Sequence, residues 1–199
     1  MKAYPSDILC FQEVKQHKKD AAFLSDYSYV MAPNIESLRY VYGVMTAAKF
    51  GFYTIQANLS KHKEAGVLTH KSRLLTHHHC VNGQKVHLMN LHAINFVSLK
   101  RFQRELDNLC KELKECDDAI IIGGDFNNWS QQRVKALSVF QKELQLQKAE
   151  IEDHQHVKHV FSKPLDHIYY RGVTLQRAVA IDAKKISDHN PIYAVFCVT

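Results

Sequence analysis

Ala119-Ile120-Ile121-Ile122-Gly123-Gly124-Asp125-Phe126-Asn127 is the stretch whose reading decides the fold. Four apolar residues in a row, with no alternation, describe a strand covered on both faces. The two glycines let the chain turn sharply and approach a neighbour closely. Asp125 and Asn127, two apart, then share a side while Phe126 packs away from it. Helical spacing appears on either flank. Phe102, Leu106, Leu109 and Leu113 recur by fours and threes within 96–113, and Val134, Leu137, Phe140 and Leu144 do so within 131–146. A buried strand between two amphipathic helices, ending in an acid and an amide, is how an α/β scaffold brings chemistry to one edge of a sheet.

The same pattern repeats outward. Asp7-Ile8-Leu9-Cys10-Phe11 reads as a short buried strand with Gln12-Glu13-Val14 opening a loop, and 16–27 reads as a helix. Residues 29–31 and 42–50 read as strands, the latter rich in Val and Tyr. Residues 73–81 and 85–91 flank Asn82-Gly83, a two-residue hairpin signal. Phe50-Gly51-Phe52-Tyr53 reads as core strand. Three late strands are expected at 166–170, 175–181 and 192–198. Strand-rich halves with helices between them imply two mainly antiparallel sheets packed face to face, helices outside. No linker, repeat or low-complexity stretch divides the 199 residues, so a single domain over 1–199 is expected.

Composition narrows the function classes. Lys and Arg number 26 against 20 Asp and Glu, a formal charge of +6 that suits an anionic partner such as a phosphodiester backbone. Five scattered cysteines without a CxxC pair read as reduced core residues of a cytoplasmic protein, not a disulfide framework or zinc site. No apolar run approaches the ~20 residues of a bilayer-crossing helix, so stable membrane insertion is not expected.

Four further motifs accompany the Asp125 segment: Phe11-Gln12-Glu13, Asn90-Leu91-His92, Leu165-Asp166-His167 and Ser187-Asp188-His189-Asn190-Pro191. Glu13 past a buried strand has the chemistry of a Mg²⁺ ligand, though taken alone it reads first as a solvated loop glutamate. Asp125 can accept a proton from water, and the Asn127 amide can hold that water or a phosphate oxygen; an Asx turn is the plain alternative. Asp166 has the chemistry to fix the tautomer of His189. His92, at a strand end, can protonate a leaving oxygen or bind a phosphate. Arg39, Lys49, Lys71 and Arg73 are candidate phosphate-meeting cations. The run His77-His78-His79 reads as a solvated strand.

Taken in order, these motifs resemble the endonuclease/exonuclease/phosphatase superfamily, the fold of deoxyribonuclease I and exonuclease III, from about Asp7 to the C-terminus. Asn90-Leu91-His92-Ala93-Ile94-Asn95-Phe96, Gly124-Asp125-Phe126-Asn127-Asn128-Trp129-Ser130 and Pro164-Leu165-Asp166-His167-Ile168-Tyr169-Tyr170-Arg171-Gly172 look closest to a small, poorly characterised bacterial branch. The resemblance implies a four-layer α/β sandwich and a Mg²⁺- or Mn²⁺-dependent phosphodiester hydrolase, foremost a nuclease acting on DNA or RNA. It implies that Glu13 binds the metal with Asp188 at or near it, and that Asp125 and Asn127 position the attacking water and the phosphate. His92 would contact or protonate the phosphate side. His189, held by Asp166, would act as base or hydrogen-bond donor.

The superfamily opens with a core strand ending in an Asn. This chain reaches its Glu motif almost at once, so that strand is expected to be missing, through either an upstream true start or a shortened relative. A phospholipid or small-phosphoester substrate, or a non-catalytic degenerate member, are the alternatives.

Overall fold

The computed structural model describes residues 4–20, 25–65, 68–80, 82–183 and 187–198. In chain order its strands are β1 (Ile8–His17), β2 (Ser28–Glu36), β3 (Tyr40–Ala48), β4 (Thr54–Leu59), β5 (Ser72–His79), β6 (Lys85–His92) and β7 (Ala119–Asp125). The later ones are β8 (Gln147–Lys148), β9 (His159–Val160), β10 (Lys163–Pro164), β11 (Asp166–Arg171), β12 (Thr174–Ala180) and β13 (Ile192–Cys197). Two helices, α1 (Leu99–Lys114) and α2 (Gln131–Glu143), follow β6 and β7. Each begins where a serine caps it. Ser98 Oγ accepts from the Arg101 N–H and Ser130 Oγ from the Arg133 N–H. The caps place the first helix start at Leu99, three residues later than the apolar spacing predicts.

The apolar run at 119–122 lies at the heart of a six-stranded sheet of order β4-β5-β6-β7-β11-β8. β7 runs parallel to β6 and antiparallel to β11. One face of this sheet carries the helices: Phe102, Leu106, Leu109 and Leu113 of α1 and Leu137 and Phe140 of α2 pack on Met89, Ile120, Ile122 and Tyr169. The other face meets a second layer, made of the sheet β1-β3-β2 and the pair β12-β13. There Leu74 packs on Ala32 and Val44, and Val86 and Tyr170 pack near Ala178 and Phe196. This is the expected α/β sandwich, with a helical layer over the larger sheet.

The two sheets are held together by a polar clamp as well as by apolar contact. Asn90 on β6 is fully buried. Its amide donates to the Phe11 carbonyl (3.2 Å) and the Met45 carbonyl (2.8 Å) of the opposite sheet, and its oxygen accepts from Gln12 Nε2 at 2.6 Å. Unpaired, those groups would each cost about 1–3 kcal/mol.

Five local expectations are corrected. The chain does not loop at Gln12-Glu13-Val14. β1 continues to His17 through a bulge, in which Gln12 and Glu13 together face Val44. The helix expected over 16–27 is not found in the described residues: Gln16 and His17 are strand, Lys18 and Lys19 turn, and 21–24 lie outside the description. Apolar residues at helix-like spacing in a polar segment imitated a helix; pairing of Gln16 and His17 with β3 overrode it. The β5–β6 hairpin closes over three residues, not two. Cys80 N donates to the Gln84 carbonyl and Gly83, at φ 83°, donates to Cys80; Val81 lies outside the described residues. Phe50 to Tyr53 is a connection rather than core strand. His78 is buried between the Phe50 and Phe52 rings instead of solvated.

Replacing Asn90 by Leu keeps the volume but strands the Phe11 and Met45 carbonyls. The expected loss is about 1–3 kcal/mol, read as a lowered urea midpoint with unchanged slope.

Candidate active site

The site forms where β6, β7 and β11 end side by side. His92 pairs in register with Asp125, and Asp125 with Asp166, so adjacent strands deliver an imidazole and two carboxylates to one edge. Gly124 makes the alignment possible. A Cβ there would sit 1.9 Å from the Leu91 carbonyl oxygen, and its φ of 145° is glycine territory. From the second sheet, the β1 bulge swings Glu13 toward the same edge. Glu13 holds φ at 55°, a left-handed conformation that a glutamate adopts at some cost. Its carboxylate oxygen lies 3.8 Å from His92 Nε2, which in turn lies 3.7 Å from Asp125 Oδ2.

The flanking groups sharpen the electrostatics. Asp166 Oδ2 accepts from His189 Nδ1 at 2.8 Å, which fixes the ring and leaves Nε2 for other work. This bond raises the His189 imidazole above its ordinary range, against an opposing push from burial. His92 goes the other way. Burial first, then Lys71 and His189, push it down to about 3, so it stays neutral. Asp125 is pushed up to about 6 by burial and by the neighbouring Asp166, with the Asn127 N–H restraining the rise. Lys71 Nζ stands 3.5 Å from Glu13 and 3.6 Å from Glu64, a cation between two carboxylates.

Of the residues singled out in the sequence, Glu13, Lys71, His92, Asp125, Asp166 and His189 meet here. Others do not. Asn127 is buried at φ 48° beneath the site; its amide donates to the Ala93 carbonyl at 2.9 Å and its N–H holds Asp125, so it braces the loop instead of facing the cleft. Asp188 points outward, its exposed carboxylate bound to Lys158 at 3.1 Å, rather than toward Glu13. Arg73 is engaged by Glu112 of α1 at 2.7 Å. Lys49 pairs with Asp7 at the opposite end of β1. Arg39 is exposed on the β2–β3 turn, past the bulge.

Sequence reading missed Glu64. Within Lys61-His62-Lys63-Glu64 it looks like one more solvated charge, yet it is 3% exposed. Its Oε1 accepts the Asn95 N–H at 2.5 Å and Oε2 faces Lys71. Arg133 was also missed: it is buried and donates to the carbonyls of Ile94, Asn127 and Val97, tying together the loops after β6 and β7.

An α/β sandwich with acids and imidazoles gathered at the ends of its central strands defines a recognisable class of scaffold. The chain belongs to the Endonuclease/Exonuclease/phosphatase family, whose profile matches residues 1–189. It is 36% identical over 135 residues to a UPF0294 protein of Vibrio campbellii, covering 67% of this chain and 48% of that protein. The chain thus spans about half the length of the curated relatives it matches. A conserved protein of unknown function from Enterococcus faecalis has the same fold, with TM-score 0.75 at 17% identity, covering 97% of this chain and 86% of that one. D. rerio TDP2 complexed with single strand DNA product shares it at TM-score 0.64 and 15% identity, over 96% and 86% of the two chains.

Histidine NMR on the metal-free protein should show His92 neutral from pH 8 down to pH 5, and His189 titrating above the ordinary 6.5. Asp166→Asn should bring His189 back down. Because the folded value is raised, the pair's stabilisation is complete below pH 6.5 and fades as pH climbs through the His189 value. A wild-type His189 that titrates at or below 6.5 refutes the pairing.

Proposed function

We propose that this domain is a divalent-metal-dependent phosphodiester hydrolase acting on nucleic acid by in-line attack of an activated water. The observation that carries the reading is the convergence of His92, Asp125, Asp166 and His189 at one sheet edge, where burial lowers the proton affinity of one imidazole and Asp166 raises that of the other. General acid–base chemistry at neutral pH needs a proton acceptor and a proton donor whose affinities have been driven apart.

The donor set suits a hard cation. Glu13 presents a carboxylate that is 74% exposed, aimed by a strained bulge into a cleft of oxygen donors. Among the described residues no three acids, histidines or cysteines form a ready cage. Mg²⁺ commonly takes one or two carboxylates and completes its shell with water and substrate oxygens. Bound beside Glu13, Mg²⁺ or Mn²⁺ would neutralise charge on the phosphate.

The chain's own groups supply the rest. Asp125, with its proton affinity near 6, takes the proton of the attacking water. His189, oriented by Asp166 and raised in proton affinity by that bond, donates from Nε2 to a phosphate oxygen. Neutral His92 donates a hydrogen bond to the phosphate without adding charge beside Lys71. Lys71 meets the phosphate's negative charge. Asn127 holds Asp125 in place from below. The net charge of +6 and the DNA held by the TDP2 neighbour favour a nucleic-acid substrate. A membrane substrate has less support, since Phe50 and Phe52 pack on His78 at the far end of β5.

Purified protein should nick supercoiled plasmid with Mg²⁺ or Mn²⁺ and stop on chelation. Asp125→Ala should lower the rate by about 10²–10⁴-fold, the range for loss of a general base. Glu13→Gln should raise the metal concentration needed for half-maximal rate. No metal-dependent cleavage of DNA or RNA overturns the assignment.

A further inference from the structure

Two of the most exposed aromatic rings in the described residues stand beside the cleft, and both are held in backbone conformations that bulky residues avoid. Phe161 is 79% exposed at φ 48°, and Phe96 is 64% exposed at φ 46°. Phe161 tips a minimal hairpin. β9 and β10 pair Val160 with Lys163, so Phe161-Ser162 is the whole turn, with both residues at positive φ (48° and 60°). Such turns ordinarily take Asn-Gly or Asp-Gly. A phenylalanine there sacrifices local stability to project a ring into solvent, and an outlier of this kind motivates a functional reading.

The two rings are wired to the chemistry by one amide. Asn95 Oδ1 accepts from Trp129 Nε1 (2.8 Å) and from the Phe96 N–H (2.9 Å), while the Asn95 N–H donates to Glu64, whose other oxygen faces Lys71. Trp129 stands edge-to-face with Phe161 at 6.4 Å between ring centroids, and the Arg133 guanidinium lies 4.8 Å from the Trp129 ring centre. Lys158 and Lys163 bracket the Phe161 tip in sequence. The rings therefore form a run linked through Asn95 and Glu64 to the candidate cleft, with Arg133 buried behind Trp129.

We propose that Phe161, Trp129 and Phe96 form a stacking platform for the unpaired bases of a single-stranded nucleic acid whose scissile phosphate lies over the Glu13–His92–Asp125 cleft. This rests on the phosphodiesterase reading and names its substrate class. Exposed rings offer π-faces that a base can occupy only when unstacked from its neighbours, whereas duplex bases already have both faces covered. Stacking tolerates any sequence and works beside cations that track the backbone. Hydrogen bonds to Asn95 that hold Trp129 and the Phe96 backbone before binding lower the ordering cost.

Trp129 is the chain's single tryptophan, so its fluorescence reports on the platform alone. The probe is an oligothymidylate titrated into the full chain in chelator, where no turnover is needed. Expected are quenching of Trp129 and affinity at least ten-fold above that for an abasic oligomer of equal phosphate number. Phe161→Ala should erase most of that preference, and Phe161→Tyr should keep it. Equal quenching and affinity for the abasic strand overturns the proposal. So does Phe161-dependent binding to phosphatidylserine vesicles without base preference, which would make the rings a lipid contact. If bases bind as expected but no divalent cation supports cleavage, the hydrolase reading fails while the platform stands.

Discussion

The buried amide of Asn90 is the joint on which the site depends. His92 and Asp125 belong to one sheet and Glu13 to the other, so their meeting requires a fixed offset between two sheets that share no strand pairing among the described residues. Apolar contact alone allows sheets to slide with little penalty, because it is non-directional. Hydrogen bonds from one side chain to the carbonyls of Phe11 and Met45, and from Gln12 back to it, remove that freedom. Opposite the β1 bulge, the Val44 N–H reaches Ser72 Oγ of the other sheet at 3.2 Å and adds a second tie. Glu13 follows immediately after Gln12, so the sheet offset sets its position directly.

Within that frame, environment assigns separate tasks to similar groups. His92 and His189 share a cleft and an intrinsic affinity for protons, yet burial beside Lys71 keeps one neutral and a carboxylate raises the proton affinity of the other. Asp125 and Asp166 diverge in the same way. Asp166 is committed to His189, and its charge helps to raise the proton affinity of Asp125. Glu64 and Lys71 are part of the same economy of charge, since a buried glutamate facing a cation costs less than either alone.

Much of this was legible from spacing. The unbroken run 119–122, the apolar periodicity of both helices and the ordered motifs placed the sheet centre, the helical layer and the meeting of His92 with Asp125 and Asp166. What escaped was whatever depends on long-range pairing. A bulge leaves no local signature, so Gln12-Glu13-Val14 looked like a loop. Gln16 and His17 carry no intrinsic preference strong enough to resist the edge of β3. Lys49, Arg73 and Asp188 were plausible by charge, but each has a carboxylate or ammonium partner elsewhere in space. Glu64 was invisible for the reverse reason, because its burial comes from the loop after β6 folding over it.

The turn at Phe161-Ser162 has a consequence for anyone wishing to harden this domain against heat. By the usual rules of consensus repair it is the first place to substitute, since Asn-Gly would relax two unfavourable dihedral pairs at once. That improvement would shear off the ring that stands edge-to-face with Trp129, so a sturdier protein would emerge with a blunter version of the proposed grip.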